Sequence, residues 1–240
     1  PVATALCVLS QLGNRTALID SCGEDEVGLK ITSELKRWNV ETDLMQFCAD
    51  AKSARAVILV RATDGARQIY FLPSNVEAPS LTKAIRQALA SARLLHLNGR
   101  HELLARQMVA EARALEVEIS FDGGAGRFRE SIRDLFEASH VRIVSRDFAE
   151  KCSGSTDLTE MAAKLLQPPA RLLVITEGTR GSHVWTPDGK PFHQPAFKAE
   201  PLIDTTGCGD VFHGAFLHGW LAMWPLERCA SYASRLAAQN

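Results

Sequence analysis

A regular alternation of short apolar runs and amphipathic stretches over residues 93–176 constrains this chain more than any other feature. Each apolar run has the length of one strand, and the apolar positions between the runs recur with the period of a helix. Strands joined by helical crossovers lie parallel in one sheet, with right-handed connections. The sequence therefore predicts an α/β fold with a doubly wound, mostly parallel sheet. The predicted strands are RLLHL, VEISF, VRIVS and RLLVIT, and the predicted helices are His101–Leu115, Glu130–Ala138 and Thr156–Leu166.

The segment before this alternation adds shorter elements. Between residues 54 and 71, two strand-like runs flank Asp64 and Gly65, a pair typical of a tight hairpin turn. We expect this hairpin to form a small β lid outside the main sheet. The other predicted elements of this segment are the helix Val2–Leu12, the strand TALIDSCG, the helix DEVGLKITSELKRWNV, the strand VETDLMQF and the helix Leu81–Leu89.

At the C-terminal end, the short apolar runs SHVWT and PFHQPAF precede two predicted helices, Asp210–Met223 and Pro225–Ala238. The helical pattern continues to the last residue, Asn240, and another helical pattern begins beside Pro1. We therefore expect residues 1–240 to form a single domain that is clipped at both ends.

The composition argues against several functional classes. A formal net charge of −1 provides no general attraction for nucleic acid or for an anionic membrane. No apolar run reaches the roughly 20 residues that span a bilayer, and the N-terminal segment lacks the features of a signal peptide. The six cysteines are scattered without a C-x-x-C pair, which favours reduced thiols and a cytoplasmic protein. The seven histidines include no H-E-x-x-H pattern, so packing or surface roles are favoured over a zinc site.

The stretch LIDTTGCGDVFHGAF, Leu202–Phe216, gives the clearest indication of chemistry. Gly207 and Gly209 lie before an apolar helix, and because they lack a Cβ a phosphate can approach the amides at the helix N-terminus. A carboxylate in the first turn, here Asp210, is stabilised as the anion and can accept a proton. An anion hole beside a base is suited to phosphoryl transfer onto a hydroxyl. The alternative is a common glycine-rich turn in which Asp210 only interacts with the helix dipole.

Two other loops follow predicted strands. The sequence TEGTRG places Gly178 and Gly181 at the carboxyl end of a strand, where open α/β folds bind ligands; a tight turn is the alternative. The loop FDGGAGRF lacks the third glycine of a dinucleotide fingerprint, which argues against a dinucleotide-dependent oxidoreductase, and no P-loop is present. Arg129 is a candidate contact to substrate or phosphate, with a surface ion pair as the alternative.

The sequence DTTGCGDVFHGAF resembles the second signature of the ribokinase-like (PfkB) carbohydrate kinase family, D-T-x-G-A-G-D, with Cys208 in place of the usual alanine. The segment VATALCVLSQLGNRTALIDSCGEDEVG is similar to the first helix and strand of that family, and the hairpin falls where the family has its lid. Asn98-Gly99-Arg100 and IVSRDFA are most similar to the ketohexokinase branch. Further segments follow in family order: LLHLNGRH, SFDGGAGRFRE, RIVSRDFAE and LLVITEGTRGS.

The resemblance implies an ATP-dependent kinase that phosphorylates a hydroxyl of a ketohexose or pentose. Mg²⁺ would arrive with ATP, a monovalent cation such as K⁺ would occupy a nearby loop, and the lid would contribute to a homodimer. The implied residues are Asp210 as catalytic base and substrate contact, the amides of Gly207, Cys208 and Gly209 as anion hole, Thr176, Gly178 and Gly181 beside the nucleotide, and Asp204 and Thr206 in the cation loop.

The chain departs from the family pattern in two places. The usual N-x-x-E motif, tied to magnesium and phosphate, is replaced by Ser145-Arg146-Asp147-Phe148, and the candidate substitutes Asp147 and Glu150 lack its spacing. The Gly-Gly of the first signature, which helps to seat the sugar, would lie before Pro1. The alternatives are therefore a nucleoside kinase of the same fold and a non-catalytic nucleotide- or sugar-binding relative, although the presence of Asp210 argues against the latter.

Overall fold

The computed structural model describes residues 2–61, 67–198 and 204–240. Its helices are α1 Val2–Gln11, α2 Glu26–Arg37, α3 Lys83–Ser91, α4 Glu102–Ala114, α5 Arg133–Glu137, α6 Arg146–Ser153, α7 Leu158–Leu165, α8 Cys208–Leu221 and α9 Leu226–Ala237. Its strands are β1 Ser21–Gly23, β2 Gln46–Cys48, β3 Arg55–Val60, β4 Arg67–Leu72, β5 Leu94–Leu97, β6 Glu118–Gly123, β7 Val141–Ser145, β8 Leu172–Thr176, β9 Ser182–Trp185 and β10 Phe192–Gln194.

The main sheet has the order β10-β9-β8-β7-β6-β5. Strands β5 to β8 are mutually parallel, and each is joined to the next by a helical crossover. A short 3₁₀ turn over Gly178–Arg180 replaces the crossover after β8, so β9 turns back and pairs antiparallel, as does β10. The predicted α/β fold with a mostly parallel sheet is confirmed.

Helices cover both faces of this sheet. Successive residues of a strand point to opposite sides, so the side chains of one strand pack in two different core layers. In β8, Leu173 and Ile175 pack in the core layer formed with α3 to α7, whereas Leu172 and Val174 pack in the layer formed with α1, α8 and α9. These strand residues are fully buried, as expected for a sheet with helices on both sides. The predicted doubly wound arrangement is therefore confirmed as well.

The N-terminal strands pair outside the main sheet, and they are shorter than predicted. Strands β1 and β2 form a parallel pair of their own. Upstream of β1 only an isolated bridge joins Ala17 to Glu41 in the described residues. A turn closed by the Met45 amide and the Thr42 carbonyl separates that bridge from β2. This turn interrupts the ladder, so the predicted strands TALIDSCG and VETDLMQF are too long.

Strands β3 and β4 form a separate antiparallel sheet, with Ile58 opposite Ile69. This pair is the predicted hairpin, whose turn at Asp64 and Gly65 lies outside the described residues.

The C-terminal helices differ in detail from the predictions. Helix α8 begins at Cys208, two residues before its predicted start, because Gly207 caps it in a left-handed conformation with φ of 87°. Helix α9 spans Leu226–Ala237, within one residue of the predicted Pro225–Ala238 at each end. The helical pattern that reaches Asn240 is not continued as helix, because the Gln239 amide closes a turn onto the Leu236 carbonyl. Among the described residues no helix has the length and apolar character to cross a membrane.

Candidate active site

The candidate site lies at the edge of the sheet where the parallel strands end. Strands β5, β6, β7 and β8 all run in one direction, so their carboxyl ends lie along one edge. Helix α8 approaches this edge. Nε2 of its residue His213 lies 3.4 Å from Oδ1 of Asp122, which is near the end of β6. The predicted anion loop and the predicted nucleotide loop are therefore both associated with the ligand-binding edge of an α/β sheet.

The N-terminus of α8 has the features of an anion-binding turn. Gly207 adopts the left-handed conformation that favours glycine, and a Cβ added to Gly209 would meet no atom within 4 Å. The first amides of a helix have no partner within the helix, and the helix dipole adds partial positive charge. The Cys208 amide also makes a long hydrogen bond, 3.4 Å, to the Thr205 carbonyl. Open space at Gly209 leaves this end of α8 accessible to an anion.

Asp210 lies half-buried in the first turn of α8. It is one residue beyond Gly209 and one helical turn before His213, which packs against the sheet. Its carboxylate is therefore attached to the same turn as the candidate anion-binding amides. This arrangement brings a base and an anion-binding site within one short segment.

The loop before α8 contains the two residues predicted to bind a monovalent cation. The Thr206 amide donates a 2.8 Å hydrogen bond to Oδ1 of the exposed Asp204. Oγ1 of Thr206 is buried and has no hydrogen-bond partner in the described part of the chain. The Asn240 side chain donates to the Thr206 carbonyl at 2.8 Å, which ties the end of the described chain to this loop.

The loop after β8 contains the residues predicted to lie beside the nucleotide. Thr176 is the last residue of β8, and its Oγ1 is 3.4 Å from the Val144 carbonyl. Gly178 has a φ of 60°, and a Cβ there would meet nothing within 4 Å. Gly181 has a φ of 94°, and its Cβ would lie 2.0 Å from the Gln194 carbonyl oxygen. Gly181 is thus required by the close approach of two backbones, whereas Gly178 borders open space.

An ion network that the sequence did not indicate stabilises the same loop. The buried carboxylate of Glu177 contacts Arg146 at 2.5 Å, Arg180 at 3.2 Å and His183 at 2.9 Å. Burial would raise the pKa of Glu177, but the hydrogen bonds from Arg146 and Arg180 outweigh burial and lower it. Arg146 directly follows β7 and Glu177 directly follows β8, so their contact connects the ends of the two strands. Arg146 also donates to Glu150 and to the Thr156 carbonyl.

The segment that replaces the N-x-x-E motif has no free carboxylate at the motif's last position. Phe148 occupies that position and is fully buried in the core. Asp147 accepts a hydrogen bond from the Gly126 amide and pairs with Lys151. Glu150 pairs with Arg146. Both candidate substitutes are therefore engaged in contacts of their own.

Arg129 makes the ion pair considered as the alternative to a ligand contact. Its Nε donates to Oε1 of Glu102 at 3.0 Å, and its Nη2 donates to the Gly99 carbonyl at 2.6 Å. The guanidinium remains about half exposed. A contact between Arg129 and a substrate stays a prediction.

The structure also brings together two histidines and an aspartate that sequence spacing did not connect. His96 of β5, Asp122 of β6 and His213 of α8 have side-chain donor atoms within 4.8 Å of one another. Burial and the neighbouring His213 lower the pKa of His96 to about 4, so this ring is neutral near pH 7. The one signal in the sequence was a carboxylate close to the end of a buried strand.

Comparisons with known proteins test the family and the fold of this chain. A sequence model of the family described as "pfkB family carbohydrate kinase" matches residues 3–240. Fructokinase-2 of Solanum habrochaites is 29% identical over 236 residues, which cover 90% of this chain and 70% of the relative.

Two solved structures share the fold at lower identity. A putative ribokinase from Agrobacterium tumefaciens matches with a TM-score of 0.86 at 23% identity. The match covers 98% of this chain and 77% of the ribokinase chain. A putative ribokinase II from E. coli, in complex with ATP and Mg²⁺, matches with a TM-score of 0.84 at 19% identity. This match covers 98% of this chain and 80% of the E. coli chain.

Proposed function

The chain belongs to the pfkB family of carbohydrate kinases, and on that premise we propose that it transfers the γ-phosphoryl group of ATP to a hydroxyl of a small sugar. The prediction of a sugar kinase is confirmed at the level of the family. The observation that carries the finer proposal is the start of α8, where Asp210 lies in the first turn beside the accessible amide end at Gly209.

Asp210 is the general base in this proposal. Its carboxylate accepts the proton of the sugar hydroxyl while the hydroxyl oxygen forms a bond to the γ-phosphorus and the bond to the leaving ADP oxygen breaks. The amides of Gly207, Cys208 and Gly209 stabilise the negative charge on the phosphoryl oxygens. Both functions belong to one rigid helix turn, so the base and the anion hole keep a fixed separation.

We place ATP along the loop after β8. Gly178 borders open space, and Thr176 ends the strand beside it, whereas Gly181 shapes the loop through its contact with the Gln194 carbonyl. When bound with ATP, Mg²⁺ neutralises phosphate charge. Because Phe148 is buried where the family motif has a carboxylate, this chain fits a metal held mainly by phosphates and waters.

We also propose that the loop of Asp204 and Thr206 binds a monovalent cation such as K⁺. Its support is the buried Oγ1 of Thr206, which lacks a hydrogen-bond partner among the described residues. A buried hydroxyl oxygen without a partner is costly, and a cation ligated by that oxygen would satisfy it. A kinase rate that is the same in K⁺ and in a bulky organic cation would count against this assignment.

The hairpin over residues 54–71 is proposed as a lid that also forms a homodimer interface. Val57, Leu59 and Tyr70 are exposed on one face of the β3–β4 sheet, and Ile58 and Ile69 are exposed on the other. A two-stranded sheet with apolar side chains on both faces needs cover on both. Substrate beneath the lid and a second subunit above it would supply that cover. A monomer in sedimentation at micromolar concentration would contradict the dimer.

The substrate class that we propose is a ketohexose, with a pentose or a nucleoside as the alternatives. The named relative at 29% identity is a fructokinase, and this is the observation that favours a ketohexose.

The six cysteines are all free, which supports a reducing, cytoplasmic location.

The test is a screen of ATP consumption over ketohexoses, aldohexoses, pentoses and nucleosides with the purified chain. The result expected is a higher kcat/KM for a ketohexose than for any nucleoside. A preference for a nucleoside would overturn the substrate class, and an absence of turnover with folded, ATP-binding protein would overturn the catalytic proposal.

A further inference from the structure

A buried cluster of His96, Asp122 and His213 lies one helical turn beyond the proposed catalytic base, and the proposed kinase reaction does not use it. His96 and Ser120 are paired across β5 and β6, and Asp122 is two residues beyond Ser120. Because side chains alternate along a strand, Ser120 and Asp122 point to the same face, which α8 covers with His213. Three separate elements therefore converge on one point.

The cluster has little contact with solvent. Asp122 and His213 are 3% and 5% exposed. The cluster therefore includes a buried carboxyl group. A buried anion is costly unless cationic groups compensate it.

Two imidazole nitrogens in the cluster lack a hydrogen-bond partner. His96 Nδ1 is 2.7 Å from Ser120 Oγ, which leaves Nε2 as the nitrogen that faces the cluster. His96 Nε2 and His213 Nδ1 are both buried, and neither is hydrogen-bonded within the described residues. His96 therefore has the usual arrangement of a metal ligand, with one nitrogen held by a hydrogen bond and the other open. His213 faces Asp122 with its Nε2.

We propose that His96, Asp122 and His213 bind one divalent transition-metal ion of the Zn²⁺ class. Two imidazoles and a carboxylate match the donors that Zn²⁺ and Co²⁺ accept, and they disfavour Mg²⁺, which prefers oxygen. The ion would use Nε2 of His96, which otherwise has no hydrogen-bond partner among the described residues, together with Nε2 of His213 and a carboxylate oxygen of Asp122.

The distances are close to those of such a site. Tetrahedral Zn²⁺ with bonds of about 2.0–2.2 Å separates its donor atoms by about 3.3–3.6 Å. Nε2 of His213 and Oδ1 of Asp122 are already 3.4 Å apart, and all three donors lie within 4.8 Å. Side-chain adjustments of about an ångström would complete the geometry.

A cavity lies beside one of the three proposed ligands. His96 lines a cavity of about 540 Å³ beside β5, which lies at one end of the main sheet. The ion would join α8 to β5 and β6 below the turn that contains Asp210. Its expected role is to stabilise this packing, because binding to the folded state raises the free energy of unfolding.

The test uses the full chain, treated with a chelator and then titrated with Zn²⁺ or Co²⁺ without ATP. We expect one equivalent of tightly bound metal after desalting, and a Co²⁺ spectrum without the thiolate charge-transfer band that the free cysteines would give. His96→Gln and Asp122→Asn should each weaken binding at least tenfold. The exposed His193 provides the matched control, and His193→Gln should retain the full equivalent.

A second measurement does not depend on how the variants fold. Zn²⁺ added to the wild-type chain should shift the ring-nitrogen NMR signals of two of the seven histidines and raise the melting temperature. No metal uptake by folded wild-type protein overturns the proposal, as does full binding by His96→Gln or a shift of none of the ring signals. Because no readout uses turnover, a failure here is distinct from a failure of the kinase proposal.

Discussion

Replacing Asp210 with asparagine separates the catalytic role of this residue from a purely structural one. Asparagine has the same size and reach, so the half-buried first turn of α8 keeps its packing. It cannot accept the hydroxyl proton, and a positioned base contributes about 10²–10⁴-fold in rate. We therefore expect kcat for ATP consumption to fall by that factor, which corresponds to about 3–5 kcal/mol of activation free energy.

The structural alternative gives a different pattern. A carboxylate that only interacts with the dipole of α8 contributes about 0.3–1 kcal/mol to the free energy of unfolding. Asp210→Asn would then lower the melting temperature by no more than about 2–4 °C in a chain of this size and leave kcat unchanged. Melting and ATP consumption, measured on one preparation, distinguish the two outcomes.

Asp134→Asn is the matched control for this measurement. Asp134 is also an aspartate in the first turn of a helix, α5, and its carboxylate pairs with Arg106 at 2.7 Å. Helix α5 packs in the layer of the core opposite to α8. We expect a small loss of stability and an unchanged kcat. The catalytic role is refuted by a folded Asp210→Asn protein whose kcat is as close to wild type as that of the control.

Three further predictions concern the loops and the lid. Gly178→Val should raise the KM for ATP more than the KM for sugar. The control is Gly154→Val, which has a similar φ of 69° and also borders open space, and it should lower stability without changing either KM. Equal effects of Gly178→Val on the two KM values would oppose the nucleotide assignment. Because the folded-state pKa of Glu177 is lowered, its ion pairs stabilise the fold above the unfolded pKa of about 4.3 and are lost as pH falls through the folded value. Glu177→Gln should therefore lower the melting temperature at neutral pH but have little effect in strong acid, and an equal decrease at both would contradict this. Hydrogen exchange across Arg55–Val60 and β4 should slow when sugar binds, and protection that sugar leaves unchanged would rule out a gating lid.

The main sheet could be predicted because its signal is local. Strand β8 begins with a run of four apolar residues, β7 is apolar at three of its five positions, and the helices between the strands have a clear period. Pairing at the N-terminal end depends instead on a turn. The short turn between Thr42 and Met45 limits β1 and β2 to a few residues, and strand periodicity contains no information about it.

The candidate site could be proposed from the sequence only where its residues lie close together along the chain. Gly207, Gly209 and Asp210 adjoin one another in the sequence, so their spacing alone indicated an anion-binding turn. The contact of Arg146 with Glu177 and that of Asp122 with His213 join residues from different elements. Such pairs form only when the sheet places its strand ends side by side, and no spacing along the chain encodes them.

The loss of the N-x-x-E motif has a physical explanation in the core. The ring of Phe148 lies 5.8 Å from that of Phe121, 5.5 Å from Phe136 and 5.3 Å from Phe128, measured between ring centroids. A carboxylate at this position would be buried among aromatic rings, at a cost of several kcal/mol. Phe148 instead contributes aromatic packing to the layer beneath α6. In this chain the position therefore belongs to the core. In the reaction that we propose, the charge of the phosphates is balanced instead by the amides at the start of α8 and by the metal that accompanies ATP.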